Sequence, residues 1–202
     1  MGISPEAFRK LQARVQSPKR RPEPLSGLPS DPAPSRHQVI LGIDPSLRGT
    51  GWGVIRQHRG DCVALGFGTI HCAASLLRSR CLVRIADELR AAIRQHQPTS
   101  CAIEGLFFAQ NLQTALLMGE ARGVCLLAAA EAGLEIIEMA PRKVKQSIVG
   151  FGGAQKEAVA RMVQRLLGLP EPPAADAADA LALALAHARD RSRSGLDPRR
   201  PL

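Results

Sequence analysis

Residues 39–44, Val-Ile-Leu-Gly-Ile-Asp, form a continuous apolar run that ends on a carboxylate and is broken at once by Pro45. A run without polar alternation has no solvent face. It reads as a strand covered on both sides, and such strands belong to sheets flanked by helices. The chain between residues 38 and 188 extends that pattern. Thr50 to Arg56 and Cys62 to Ile70 read as two further strands, joined by turns short enough for an antiparallel meander. Leu76 to Gln97 is an amphipathic helix stopped by Pro98, and Cys101 to Glu104 is a second buried strand. Asn111 to Glu131 is a long helix closed by Gly133, and Leu134 to Met139 is a fifth strand. Two more helices are expected, over Gln155 to Leu167 and Ala174 to His187. Short apolar runs alternating with 3.6-period segments predict an α/β layer fold.

The ends differ in kind. Residues 1–37 hold seven of the 15 prolines and read as a disordered basic arm, with a marginal helix at most over Met1 to Gln16. Residues 189–202 read as a disordered, Arg-rich basic tail. A chain of 202 residues then holds one body of about 150 residues with two tails, which excludes a multidomain machine. The formal charge of +9 points to a polyanion, yet residues 1–38 contribute +4 and the tail from Arg189 +3, leaving +2 in the body. No apolar run long enough to span a bilayer and no apolar signal core are present, so no membrane association is expected. Five cysteines with no CxxC pair read as reduced thiols of a cytoplasmic protein.

Carboxylates supply the first chemical signal. Asp44 and Glu104 each close a buried strand, where α/β folds open their crevices. Asp176 and Asp179 stand at i and i+3 of the last helix, on one face. Read singly, Asp176 is as readily a helix-start residue and Asp44 a turn-initiating one. Asp179, among Ala178, Ala180, Leu181 and Leu183, needs a metal or a basic partner if it is buried, and Glu104 has no comparable structural excuse. Four converging carboxylates suit hard divalent cations, whose two-ion sites act on phosphodiesters.

The second signal is basic. Lys143, Lys145 and Lys156 are the only lysines of the body and fall within 14 residues, with Arg142 beside them. Gly150, Gly152 and Gly153 lead into the helix that starts near Lys156, a pattern suited to phosphate. Any one lysine is by default a solvated cation; their concentration beside the acids favours phosphate positioning. Phe107 and Phe108 follow Glu104 by three and four residues; one is expected to pack inward and the other to remain available for stacking on a base.

The segments ILGIDPSLRGTGWGVI, AIEGLFFAQNLQTALLMGEARGV, APRKVKQSIVGFGGAQKEAVARMV and ADAADALALALAHA, in that order and spacing, closely resemble the RuvC Holliday-junction resolvases. The resemblance covers residues 38–188 and implies a ribonuclease H-like α/β fold, a five-stranded mixed sheet flanked by helices. It also implies a homodimer that cuts two opposing strands of four-way DNA in recombination and repair, leaving 5′-phosphate and 3′-hydroxyl ends. By motif position, Asp44, Glu104, Asp176 and Asp179 match the catalytic acids that hold two Mg²⁺ ions, with Mn²⁺ as a substitute. Lys145 and Lys156 match basic residues that assist catalysis and phosphate binding, Arg142 and Lys143 lie in the same DNA-facing segment, and Phe107 matches the aromatic near the exchange point. A RuvA–RuvB branch-migration complex is implied as partner.

Ser46, Gly105 and Gln110 depart from the usual family residues, and none of them removes an acid. The arm is also foreign to the pattern. Two other families share the first motif, but actin-like ATPases need a second half that the chain cannot hold, and the YqgF-type nucleases lack the AIE strand with its Phe loop. A non-catalytic ribonuclease H-like DNA-binding protein is the remaining alternative, though it has no reason to keep four acids that repel phosphate.

Overall fold

Three strands joined by tight turns begin the fold: β1 (Gln38–Asp44), β2 (Gly49–His58) and β3 (Asp61–His71). The computed structural model describes residues 38–105 and 112–193. The hairpin between β2 and β3 turns on Arg59 and Gly60, both at positive φ, the backbone that matches strand twist in a two-residue loop. Helix α1 (Arg78–His96) follows and ends on Gln97 in the left-handed conformation, directly before Pro98. Strand β4 (Ser100–Glu104), helix α2 (Leu112–Glu131) and strand β5 (Glu135–Met139) come next. Gly133 closes α2 at φ 69°, its amide bonded to the Ala130 carbonyl and that of Leu134 to Ala129.

The chain then adds α3 (Pro141–Val149), α4 (Lys156–Leu167) and α5 (Ala175–Arg193). Helix α3 is not among the elements expected from the sequence. Its signals are nonetheless present: Pro141 at the first helical position, Gly150 at φ 83° past the last, and buried Val144 and Ile148 four apart. Helix α5 also continues beyond His187 to Arg193. Its last turns are tied down by Arg189 to the Ser147 carbonyl, Lys143 to Asp190 at 2.7 Å, and Arg191 to Glu135.

The sheet order is β3-β2-β1-β4-β5. β1 pairs antiparallel with β2, and β2 with β3, while β1–β4 and β4–β5 are parallel. This is the expected five-stranded mixed sheet. Ile40 faces a cluster built with α3, α4 and α5, whereas Leu41 and Ile43 face one built with α1 and α2. Each fully buried side chain of this size contributes about 1.5–3 kcal/mol. Among the described residues, no helix is long and apolar enough to cross a membrane.

Helix α5 lies unusually close to the sheet. A Cβ on Gly42 would sit 1.9 Å from the Ala180 carbonyl oxygen, and one on Gly51 would sit 2.0 Å from that of Asp176. Glycine on the strands and alanine on the helix (Ala177, Ala180 and Ala184 are all buried) let backbone rest on backbone. The first turns of α5 are thereby held against the carboxyl end of β1.

Candidate active site

Ile43 pairs with Ile103 across the parallel β1–β4 ladder, so Asp44 and Glu104, one residue on, leave adjacent strands side by side. Their side chains share a hydrogen bond. Burial, reinforced by that bond and by the charges of Glu104 and Asp179, pushes the Asp44 carboxyl up to about 9, with Lys156 acting in the opposite sense. At neutral pH burial therefore favours a proton on Asp44, held against Glu104.

Helix α5 brings the other two acids. Asp179 pairs with Lys156 of α4, Nζ to Oδ2 at 2.9 Å, and this hydrogen bond raises the lysine pKa, helped by the charges of Asp179, Asp44 and Asp176. The basic partner expected for Asp179 is thus Lys156. Asp176 lies against the β1–β2 turn, where a Cβ on Gly49 would come within 2.9 Å of its Oδ2. All four acids are half-buried. Two come from strand ends and two from a helix seated on the sheet backbone, so their spacing is set by strand register and by that backbone contact.

The donor set, four carboxylates, fits a hard divalent cation. Among the described residues, no three His, Cys, Asp or Glu side chains close into a ready-made cage. Asp44 instead pairs with Glu104, and Asp179 with Lys156. Both pairings are substitutes for positive charge at a site with more carboxylate than one ammonium neutralises.

The remaining expected residues divide. Lys145 is half-buried on α3, and Arg142 packs near the turn after it, its carbonyl 3.2 Å from where a Gly152 Cβ would stand. Lys143 instead engages Asp190 near the far end of α5, about 21 Å along the helix from Asp176 at 1.5 Å per residue. Phe107 and Phe108 lie outside the described residues, as do Gln110, the arm and the end of the tail. Burial pushes the thiols of Cys101 and Cys125 up, in keeping with inert reduced cysteines.

Two arginines escaped the sequence reading. Arg122 of α2 is largely buried and reaches both parallel strands: Nε donates to the Glu104 carbonyl at 3.2 Å and Nη2 lies 2.8 Å from Glu138 Oε2. It fixes the backbone of the residue that carries the Glu104 carboxylate. Arg48 anchors the β1–β2 turn by donating to the carbonyls of Ala73 and Leu76. An arginine amid apolar helical sequence, as in GEARGV, was the available signal for Arg122; Arg48 offered none.

Comparison with known proteins agrees with this geometry. The family described as crossover junction endodeoxyribonuclease RuvC matches residues 40–187. A crossover junction endodeoxyribonuclease RuvC of Tolumonas auensis is 50% identical over 150 residues, covering 74% of this chain and 86% of that protein. One from Pseudomonas entomophila is 47% identical over 154 residues, covering 76% and 88%. Among solved structures, T. thermophilus RuvC in complex with a Holliday junction substrate superposes with a TM-score of 0.73 at 34% identity, covering 82% of this chain and 99% of the other.

Proposed function

Because the chain belongs to the RuvC family of crossover junction endodeoxyribonucleases, we propose that it resolves four-way DNA junctions by paired, symmetric hydrolytic nicks. One observation carries the reading. Asp44, Glu104 and Asp179 share one electrostatic group with Lys156 at the carboxyl ends of two parallel strands, with Asp176 on the same helix face as Asp179. Asp44, Glu104, Asp176 and Asp179 hold divalent metal, with Mg²⁺ as the physiological ion, Mn²⁺ as a substitute, and two ions per site. When bound, such ions supply Lewis-acid chemistry, favouring ionisation of the attacking water and offsetting charge on the leaving oxygen.

The chain's own groups do the rest. With metal bound, Asp44 would release its proton to solvent, and both carboxylates would then serve as ligands. Lys156, already poised at the acids, turns its ammonium to the scissile phosphate, and Lys145 and Arg142 on α3 hold the flanking backbone. Lys143, tied to Asp190, contacts DNA at the periphery. Phe107 acts at the exchange point. In-line attack then leaves a 5′-phosphate and a 3′-hydroxyl, ends that can be rejoined.

A homodimer fits the task, since two-fold symmetry places two sites on a roughly two-fold junction. The working compartment is the cytoplasm, and a RuvA–RuvB-type branch-migration complex is the proposed partner. The test uses the full chain on a mobile four-way junction and a linear duplex, with and without Mg²⁺. Symmetric nicking of the junction alone, abolished in Asp44→Asn with junction binding retained, is the expected result. Undiminished cleavage by Asp44→Asn would overturn the assignment, and binding without any metal-dependent nicking would favour the non-catalytic alternative.

A further inference from the structure

Among the described residues, seven large apolar side chains are well exposed: Val63, Phe67, Leu77, Val83, Leu116, Leu127 and Phe151. A single exposed apolar residue means little by itself. Phe151 differs by where it stands. It is 68% exposed and occupies the turn between α3, which carries Arg142 and Lys145, and α4, whose first residue is Lys156. The other six lie on β3, on α2, or on α1 and the residue before it.

The turn is shaped around the ring. Gly150 leaves α3 at φ 83°, and the Ala154 amide returns to the Phe151 carbonyl at 3.3 Å. A Cβ on Gly153 would fall 2.8 and 2.9 Å from ring atoms of Phe151, so the ring rests on glycine backbone that no other residue could supply without displacing it. Gly152 in turn packs over Arg142. The aromatic is thus held on a short, supported turn between the helices that carry Lys145 and Lys156, and Lys156 ends 2.9 Å from an acid of the site. A ring left in water beside groups suited to phosphate matches the chemistry of a nucleotide, which offers an anionic backbone and an apolar base face within a few ångströms of each other.

We propose that Phe151 is a DNA-contacting residue, its ring stacking on a base of the strand whose phosphate is held at Lys156. This rests on the proposed junction-cleaving function and adds to it a second aromatic contact, 44 residues after Phe107 and like it between Glu104 and Asp176 in the sequence. In the full chain, Phe151→Ala is expected to weaken binding to a four-way junction by about 5- to 150-fold, the range for loss of one base stack. Phe151→Trp is expected to restore it. Binding is read without metal, on junctions carrying 2-aminopurine near the exchange point, where stacking quenches fluorescence. Quenching by the parent and by Phe151→Trp, lost in Phe151→Ala at an unchanged melting temperature, supports the proposal.

Unchanged affinity and quenching in Phe151→Ala would overturn it. So would a change in oligomeric mass, which would assign the ring to a contact between copies. Cleavage by the parent is a separate readout: its failure would count against the nuclease reading while the binding arm still decides the role of Phe151.

Discussion

Substituting Gly42 with alanine adds one methyl group at the place where the structure has no room for it. The new Cβ would stand 1.9 Å from the Ala180 carbonyl oxygen and 3.0 Å from the Ala184 nitrogen. A carbon and a carbonyl oxygen approach to about 3.3 Å at closest, so β1 and α5 must separate by roughly 1.4 Å. Both sides of the contact are backbone, and no rotamer change absorbs the strain. Overpacking of this kind costs about 1–3 kcal/mol or more. The catalytic consequence is larger, because Asp44 lies two residues from Gly42 and Asp179 one residue from Ala180. A shift near 1 Å between reacting groups costs about 100-fold in rate.

Single-turnover cleavage of a four-way junction in Mg²⁺, alongside urea unfolding, measures both effects. Gly119→Ala in α2 is the control: nothing lies within 4 Å of its added Cβ. It is expected to stabilise the helix by up to about 1 kcal/mol and leave cleavage unchanged. Near-parental cleavage by folded Gly42→Ala protein would refute the claim that backbone contact sets the spacing of the acids.

Two further outcomes follow from the charges. Folded Asp44 keeps its proton up to about pH 9 against an ordinary 3.8, so metal-free stability falls as pH rises across that window, by at most about 1.4 kcal/mol per pH unit. Asp44→Asn lacks this slope. Urea unfolding in EDTA should show the variant gaining on the parent between pH 5 and 8, and parallel curves would contradict the shared proton. Arg122→Met strands the Glu104 carbonyl and Glu138 and is expected to cost about 2 kcal/mol, with Arg122→Lys recovering only part. A neutral Arg122→Met variant would show that the strand ends hold themselves.

The strands and the long helices were legible because each is written in local pattern: the apolar run to Asp44, the amphipathic stretch before Pro98, the glycine after α2. Helix α3 is hidden by its brevity: nine residues with two buried side chains, Val144 and Ile148, leave too short an apolar stripe to read as periodic. The last helix was expected to stop at His187 because Arg-rich sequence resembles a tail; its six extra residues are fixed by contacts to α3 and β5 that lie 42 to 56 residues away in the chain. The four acids stand out in the sequence, but the pairing of Asp44 with Glu104 and of Asp179 with Lys156 does not. That pairing depends on distances between elements, as does the bridge made by Arg122. The alanine content of the last helix answers to Gly42 and Gly51 opposite it, a pairing of small residues that no local pattern shows.

The contact between α5 and the sheet also bears on mechanical response. Pressure acts on a folded protein chiefly by eliminating internal void volume, and interiors filled by interlocking side chains retain small voids where packing is imperfect. Backbone seated on backbone at Gly42 and Gly51 leaves little space to collapse. Compression should therefore yield first in the side-chain layers beneath α1 and α2, while the acids move as one unit with the sheet, so cleavage should outlast the first pressure-induced loosening of the fold.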